Sequence, residues 1–221
     1  MTRILYSYIK EKNHNFLIKE WLPRFPKSFQ EKVLRYRRWQ DAQLSLLGRL
    51  LLKQGLKDYG IVCNNELNMH YTSYNKPYFI DLEVEFNISH SGDIVVCAIT
   101  QNNDIGIDIE IVKNIEVEDF KNQMTSLEWQ RIISSGDIKN SFFNYWTQKE
   151  AVIKAHGMGL SVPLKSFEII NNHTIIDTEN FYVKEVVLDQ EYKCHLAFKN
   201  TSNPVISNPI RVNVLDMKYT Y

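Results

Sequence analysis

Two acidic residues share one face of a predicted strand. The segment from Asp104 to Ile111 alternates strictly between isoleucines and other residues, so Gly106, Asp108 and Glu110 point the same way. Two positions along a strand span roughly 6.6 Å, a gap that flexible carboxylate arms can close onto one small cation such as magnesium. The pattern permits a magnesium site in which Gly106 leaves room for a ligand. An acidic, solvent-facing strand edge explains the same alternation.

A third carboxylate lies on a predicted helix from about Ser141 to His156, which we expect to stop at Gly157. Glu150 and Lys154 are four residues apart and therefore lie on one face of this helix. An exposed ion pair is the common explanation of that spacing. Combined with the two strand carboxylates, however, this pair would complete a site for phosphoryl transfer, with the lysine neutralising a phosphate.

The segment from Phe86 to Asp93 carries hydroxyls, a histidine and a glycine next to a predicted buried strand. Ser89 and His90 could bind an anion there, although the same residue types are common in ordinary turns. No acidic partner can be identified for the adjacent Ser89 and His90, so a hydrolase triad is not predicted. Of the basic side chains between Arg24 and Arg38, we expect most to be solvated and one or two to contact a phosphate.

The order of predicted elements indicates the fold class. Strand signals cover residues 4–9, 95–100, 105–111, 181–188, 192–198 and 210–215, and helical spacing covers 29–59, as one helix or two. Thr125 and Glu128 have the spacing of a capping box, which predicts a further helix start. The sequence therefore predicts an α+β fold of two halves, residues 1–105 and 106–221.

The composition excludes several functional classes. The chain has 221 residues, of which 44 % are hydrophobic, and its 26 basic residues balance 26 acidic ones. A neutral chain without a basic stripe argues against nucleic-acid binding and against a metal-dependent nuclease. Three widely separated cysteines argue against disulfides and zinc sites, and no apolar run is long enough for a signal sequence or a membrane span. We therefore expect a cytoplasmic protein that contacts neither membrane nor nucleic acid.

Four motifs in order resemble one family. Residues Asn75–Tyr78, Phe86–Ser91, Gly106–Glu110 and Trp146–Lys154 are similar to the corresponding segments of 4'-phosphopantetheinyl transferases of the surfactin-synthetase-activating type. The resemblance implies two pseudo-symmetric α+β halves, with coenzyme A bound in the cleft between them. It also implies an acyl or peptidyl carrier protein as partner and a monomer, because one chain contains both halves of the site.

The resemblance implies roles for individual residues. The implied magnesium ligands are Asp108, Glu110 and Glu150, and the implied catalytic residues are Asp108, Glu150 and Lys154. The residues implied to bind coenzyme A are Lys76, Ser89, His90 and Lys149, with Lys32 and Ser45 near the nucleotide. The chain departs from the family at Leu44, where an arginine is frequent, and this departure concerns the contacts to the adenosine end.

The implied reaction is attack by a carrier serine on the β-phosphate of coenzyme A, which releases 3',5'-ADP. Glu150 is the candidate base, directly or through a water held by the metal. The segment from Ile115 to Ser135 offers apolar groups to a helix of the carrier, but we expect at least half of them to pack in the core. These groups are Phe120, Met124, Leu127 and Trp129. A non-catalytic protein of the same fold that binds the carrier or coenzyme A is the alternative.

Overall fold

The computed structural model describes residues 1–61, 69–101 and 103–217. Cys63 lies outside these residues. The helices are α1 (His14–Phe16), α2 (Lys27–Leu34), α3 (Trp39–Asp58), α4 (Ser126–Ile133) and α5 (Ile138–His156). The strands are β1 (Arg3–Tyr8), β2 (Met69–Tyr71), β3 (Pro77–Phe79), β4 (Glu85–Ser91), β5 (Ile94–Thr100), β6 (Ile105–Ile111), β7 (His173–Ile176), β8 (Glu179–Glu185), β9 (Tyr192–Lys199) and β10 (Ile210–Arg211).

Two four-stranded sheets form the body of the protein, one in each half. Their strand orders are β10-β1-β5-β4 and β6-β9-β8-β7. The first strand, long helix and hairpin of one half, β1, α3 and β4–β5, correspond to β6, α5 and β8–β9 of the other. The predicted α+β fold of two similar halves is confirmed.

Helix α3 covers the sheet of the first half because leucines recur along it at three- and four-residue spacing. Leu46, Leu47, Leu50 and Leu51 are all buried against that sheet. The helical pattern over residues 29–59 proves to be two helices, since α2 ends at Leu34 and α3 begins at Trp39.

Helix α5 packs very closely on β6. It begins at Ile138, where the Asp137 carboxylate accepts a hydrogen bond from the Asn140 amide, and ends at Gly157 with a left-handed φ of 89°. A Cβ atom on Gly106 would lie 2.2 Å from the carbonyl oxygen of Ala151. The prediction that Gly106 leaves room for a ligand is therefore wrong, because the backbone of α5 fills that space.

The predicted capping box at α4 is confirmed. The Thr125 hydroxyl accepts from the Glu128 amide, and the Glu128 carboxylate accepts from the Thr125 amide. Met124 and Trp129 are buried in a small core that α4 shares with α5, and Phe120 packs partly against it. Of the four apolar groups considered for carrier docking, Leu127 remains exposed.

The C-terminal strand returns to the first half. β10 pairs in parallel with β1, and it is shorter than the predicted strand at residues 210–215 because Asn213 starts a turn by accepting from the Leu215 amide. The predicted division between residues 105 and 106 stays a prediction, and this returning strand belongs to the sheet of the first half.

Two further observations concern membrane-spanning helices and the cysteines. In the part of the chain that the structure describes, none of the helices is both long and apolar enough to span a bilayer. Cys97 and Cys194 are free and buried.

Replacing Gly106 with Ala is expected to lower the free energy of unfolding by about 3 kcal/mol, because the new methyl group collides with the backbone of α5. Chemical denaturation measures this change. Gly136→Ala is the matched control, since a Cβ there meets nothing within 4 Å. Equal stability of the two variants would contradict the close packing of α5 on β6.

Candidate active site between the two halves

The two halves meet where the edge strands β4 and β6 lie side by side. Two serines of β4 hydrogen-bond to two carboxylates of β6. The Ser89 hydroxyl donates to Asp108 Oδ1 at 3.0 Å, and the Ser91 hydroxyl donates to Glu110 Oε2 at 2.6 Å. Strand β4 therefore orients both predicted metal ligands of β6.

The same face of β4 also bonds the backbone of β6. The Asn87 side-chain oxygen accepts from the Ile107 amide at 2.9 Å, and the Ser91 hydroxyl accepts from the Ile111 amide at 3.2 Å. These side chains satisfy amide donors on the edge of β6 that are left unpaired by the other strands in the described part of the chain. Asn87 and Ser91 were not among the predicted site residues, although the alternation of polar residues at 87, 89 and 91 was a readable signal.

Helix α5 supplies the third wall of the cleft. Trp146, Glu150 and Lys154 lie one turn apart on one face, and Trp146 is stacked on Phe142. The resulting cavity has a volume of about 390 Å³. Its lining residues are Ile88, Ser89, His90, Asp108, Glu110, Trp146, Glu150 and Lys154. The structure thus brings together the three predicted carboxylates, the predicted lysine and both residues of the Ser-His pair.

Lys154 is the cation of this cleft. Its ammonium group lies 2.6 Å from Asp108 Oδ1, 3.0 Å from the Ser89 hydroxyl and 3.2 Å from the carbonyl oxygen of Ile107. The other carboxylate oxygen of Asp108 is buried and has no hydrogen-bond partner among the residues that the structure describes. A buried carboxylate oxygen without a donor is costly, so this atom is suited to accept a ligand.

Burial and mutual repulsion raise the pKa values of the two glutamates. Desolvation is the largest cause of the raised pKa of Glu150, followed by the charge of Asp108, and Lys154 opposes both. Desolvation also raises the pKa of Glu110, against the hydrogen bond from Ser91. A divalent cation held by oxygen ligands would relieve this repulsion, so the donor set fits magnesium.

The carboxylates have not closed to ligand spacing. Among the described residues, no three histidine, cysteine or acidic side chains are placed closely enough to hold a metal ion as they stand. Lys154 bridges to Asp108 instead. Binding a metal therefore requires side-chain movement within the cleft.

His90 follows Ser89 on β4 and lines the cleft, with part of its surface exposed to solvent. Desolvation by the cleft walls lowers the pKa of this histidine, and the positive charge of Lys154 lowers it further. Its ring is therefore neutral at neutral pH and can offer a nitrogen donor to an anion.

Lys76 joins the first half to the end of α5. Its ammonium group donates to the carbonyl oxygen of Ala155 at 3.3 Å and lies 3.6 Å from Asp104. The side chain is only 12 % exposed. Lys76 thus lies beside the C-terminus of α5 and does not line the carboxylate cavity.

The prediction that Lys149 lies in the coenzyme A site is wrong, because the structure does not bring its side chain into the cleft. The side chain is fully buried and forms an ion pair of 2.9 Å with Glu128, which is equally buried. Successive residues of a helix point 100° apart, so the neighbour of a cleft residue faces elsewhere. Burial lowers the pKa of Lys149, and the charge of Glu128 opposes that shift.

Lys32 belongs to a second cavity of about 290 Å³ between α2, α3 and β2. The residues that line it are Phe25, Pro26, Ser28, Phe29, Lys32, Arg49, Lys53, Met69 and Tyr71. Ser45 lines neither this cavity nor the carboxylate cleft, but it lies one turn before Arg49 on α3. Leu44, the departure from the family pattern, is buried in the core and lines neither of these two cavities.

Replacing Glu150 with Gln is expected to stabilise the metal-free protein at neutral pH. The pKa of Glu150 is higher in the folded than in the unfolded chain, so its stability contribution is complete below the unfolded pKa and is lost as pH rises through the folded pKa. Gln carries no such loss, and its unfolding midpoint should exceed that of the parent by about 2 °C. Thermal unfolding in chelator between about pH 5 and pH 8 measures the difference.

Glu83→Gln is the control for this experiment, because Glu83 is exposed and outside the cleft. It should leave the midpoint unchanged. A Glu150→Gln protein less stable than its parent throughout that pH range would contradict the crowding of charge in the cleft.

Comparison with known proteins assigns the chain to a family. The model of the 4'-phosphopantetheinyl transferase superfamily matches residues 104–207, and the model of the 4'-phosphopantetheinyl transferase N-terminal region matches residues 15–102. The chain is 37 % identical over 177 residues to the 4'-phosphopantetheinyl transferase gsp of Aneurinibacillus migulanus, covering 76 % of this chain and 73 % of that one. It is 34 % identical over 143 residues to the 4'-phosphopantetheinyl transferase Sfp of Bacillus subtilis, covering 63 % of each.

A solved structure, the holo-[acyl-carrier-protein] synthase (AcpS) of Thermotoga maritima, aligns with 43 % of this chain and 62 % of its own, at 17 % identity and a TM-score of 0.38. The assignment itself depends on the two family models and the relatives in sequence. Together they cover both halves of the chain, including all four motifs and the cleft between β4, β6 and α5. The chain belongs to the 4'-phosphopantetheinyl transferase superfamily.

Proposed function

We propose that this chain transfers the 4'-phosphopantetheine group of coenzyme A to a serine hydroxyl of an acyl or peptidyl carrier protein and releases 3',5'-ADP. The observation that carries the proposal is the convergence of Asp108, Glu110, Glu150 and Lys154 in one cleft. Family membership supports the transferase, and the intact carboxylate and lysine set argues against a protein that only binds coenzyme A.

The three carboxylates are the proposed magnesium ligands. Support comes from the unpartnered oxygen of Asp108 and from the raised pKa values of Glu110 and Glu150, which reflect desolvation of both carboxylates and, after it, the negative charge of Asp108. Bound magnesium would supply positive charge to the pyrophosphate oxygens of coenzyme A.

Lys154 and the Ser89-His90 pair are the proposed phosphate-binding groups. The lysine ammonium has three donors and already lies at the centre of the cleft beside Asp108. Charge builds on phosphate oxygens as the phosphoryl group transfers, so a fixed ammonium there lowers the barrier electrostatically. The neutral His90 ring and the Ser89 hydroxyl can donate to the same anion without adding charge.

Glu150 is the proposed base. The carrier serine oxygen forms a bond to the β-phosphorus, the bond to the departing 3',5'-ADP breaks, and the serine proton moves to the Glu150 carboxylate. Glu150 lines the cleft between Trp146 and Lys154 on α5, so its carboxylate is the acceptor that this helix offers to the serine proton.

The nucleotide end of coenzyme A is proposed to contact Lys76, Lys32 and Ser45. The described lining of the second cavity includes Lys32 with two further cations and no carboxylate, which suits the 3'-phosphate. Ser45 lies on the helix face that leads to Arg49 in this cavity. Lys149 is not part of this proposal because it is buried behind α5.

The carrier protein is proposed to dock on α4. Leu127 and Ile133 are 52 % and 46 % exposed on this helix, next to the small core that α4 shares with α5. Exposed aliphatic groups on a short helix suit a partner helix. Met124 and Trp129 pack in that core and thereby fix α4 against α5.

The chain is proposed to act as a monomer in the cytoplasm and to leave nucleic acids untouched. One chain supplies both walls of the cleft, and its formal net charge is zero. The buried free thiols of Cys97 and Cys194 suit a reducing compartment. Incubation with plasmid and magnesium tests whether the chain acts on nucleic acids, because strand cleavage would contradict the proposal.

The central experiment is intact mass spectrometry of apo carrier proteins after incubation with the chain, coenzyme A and magnesium. We expect a mass gain of one phosphopantetheine group on at least one carrier, and no gain in chelator. Asp108→Asn should lower the rate by about 100-fold or more while remaining folded, because it removes a proposed ligand and the partner of Lys154. No gain on any carrier, despite binding of coenzyme A, would overturn the proposed transfer.

Replacing Leu127 with Asp is expected to raise the KM for the carrier about tenfold and leave the KM for coenzyme A unchanged, since the charge enters the proposed docking face. Initial-rate kinetics with each substrate varied in turn measures both constants. Leu215→Asp is the matched control, because Leu215 is a leucine of nearly equal exposure, 51 %, in the C-terminal segment. Equal effects of the two variants would count against docking on α4.

A further inference from the structure

Helix α5 packs against other elements on two of its faces, and its third face lines the cleft. On the sheet side, the Thr147 hydroxyl lies 2.7 Å from His195 Nδ1, and the backbone from Ala151 to Ala155 touches Gly106. The side chains on the cleft side are Trp146, Glu150 and Lys154. The remaining side faces α4 and the turn at residues 164–166, and Lys149 is its only buried charge among the described residues of α5.

The ammonium group of Lys149 contacts two carbonyl oxygens, a carboxylate and an aromatic ring. It donates to the carbonyl oxygen of Leu164 at 2.9 Å and to that of Phe167 at 2.6 Å, and it lies 2.9 Å from a carboxylate oxygen of Glu128. It also lies over the Phe167 ring, 4.3 Å from the centroid. Two hydrogen bonds and an ion pair thus surround the ammonium group, which is fully buried and out of reach of a ligand.

The partner carboxylate is fixed independently. Glu128 accepts from the Thr125 amide with its second oxygen as part of the capping box of α4. A second ion pair of 2.8 Å, between Arg131 and Glu168, ties α4 to the chain just beyond the turn. The cage around Lys149 is therefore built from two segments that are already attached to each other.

We infer that Lys149 is a positioning residue that sets the rotation of α5 about its own axis and thereby aims Glu150 and Lys154 into the cleft. A cleft side chain about 6 Å from the helix axis moves by roughly 2 Å when the helix turns by about 20°. That displacement is enough to break the 2.6 Å contact between Lys154 and Asp108. The inference rests on the proposed metal site, because Glu150 acts there.

Directional contacts explain why this position carries a lysine. Apolar contacts fill space with little preference for angle, whereas three short contacts from one nitrogen fix where the side chain must lie. Without the amine, the Leu164 and Phe167 carbonyls would be buried without a donor and Glu128 would be buried without a counter-charge. Lys149 thus acts through Glu150 rather than on coenzyme A.

The test compares the parent protein with the double variant Lys149→Met, Glu128→Gln. The double change removes the amine and also neutralises its buried partner, while Gln retains an acceptor for the Thr125 amide. Glu128→Gln alone is the second variant, in which Lys149 keeps both carbonyl contacts and only the carboxylate partner is changed. Mn²⁺ affinity in saturating coenzyme A is measured from the signal of free Mn²⁺ in electron paramagnetic resonance, and coenzyme A affinity is measured in chelator.

We expect Mn²⁺ affinity to fall about tenfold in the double variant and less in Glu128→Gln, with coenzyme A affinity in chelator unchanged. The control is Lys199→Met, Glu179→Gln, which removes a partly exposed ion pair of 2.7 Å away from the cleft. That control should leave both affinities unchanged.

Three outcomes overturn the inference. Unchanged Mn²⁺ affinity in a folded double variant would show that Lys149 only stabilises the fold. An equal loss of coenzyme A affinity in chelator would show that Lys149 binds the substrate itself. Absence of Mn²⁺ binding in the parent protein would refute the proposed metal site, and the inference with it, whereas failure in the variants alone concerns Lys149.

Discussion

The contact between the edge strands β4 and β6 is the constraint on which the rest of the structure depends. Each strand is paired on one side only, and side chains of β4 replace the missing neighbour of β6 by bonding its amides at Ile107 and Ile111. Ser91, which accepts from the Ile111 amide, also donates to Glu110, and Ser89 on the same face of β4 donates to Asp108. Joining the two halves and orienting the carboxylates are therefore one set of hydrogen bonds, which is why the cleft lies at the seam.

Clustering three carboxylates in a partly dry cleft works against folding, and the protein offsets this cost with nearby cations. Lys154 neutralises Asp108 at the front of α5, and Lys149 anchors the same helix from behind. The two lysines of this motif thus have different roles, since Lys154 faces the cleft and Lys149 is buried in contact with other parts of the protein. Desolvation, and after it the charge of Asp108, raises the pKa values of Glu110 and Glu150, and a divalent cation would relieve the repulsion between these carboxylates.

Local periodicity was sufficient to predict which candidate side chains share a face of their strand or helix, but not what packs around them. Alternation placed Asp108 and Glu110 on one strand face, and helical spacing placed Glu150 with Lys154, because both patterns depend only on backbone geometry. Sequence reasoning failed where tertiary packing decides. The space beside Gly106 is filled by α5, the signature residue Lys149 is buried, and the C-terminal strand crosses back to β1. None of these follows from a window of neighbouring residues.

The most direct test of the account is whether a divalent cation held by these carboxylates touches the pyrophosphate of coenzyme A. Mn²⁺ can replace magnesium as a probe, and pulsed electron–nuclear double resonance detects phosphorus nuclei bonded through one oxygen to it. We predict a phosphorus coupling in the parent protein with coenzyme A, and its loss when Asp108 is replaced by Asn. A coupling that survives that replacement unchanged, or a bound Mn²⁺ with no coupling to phosphorus, would contradict the assignment of this cleft as the site of transfer.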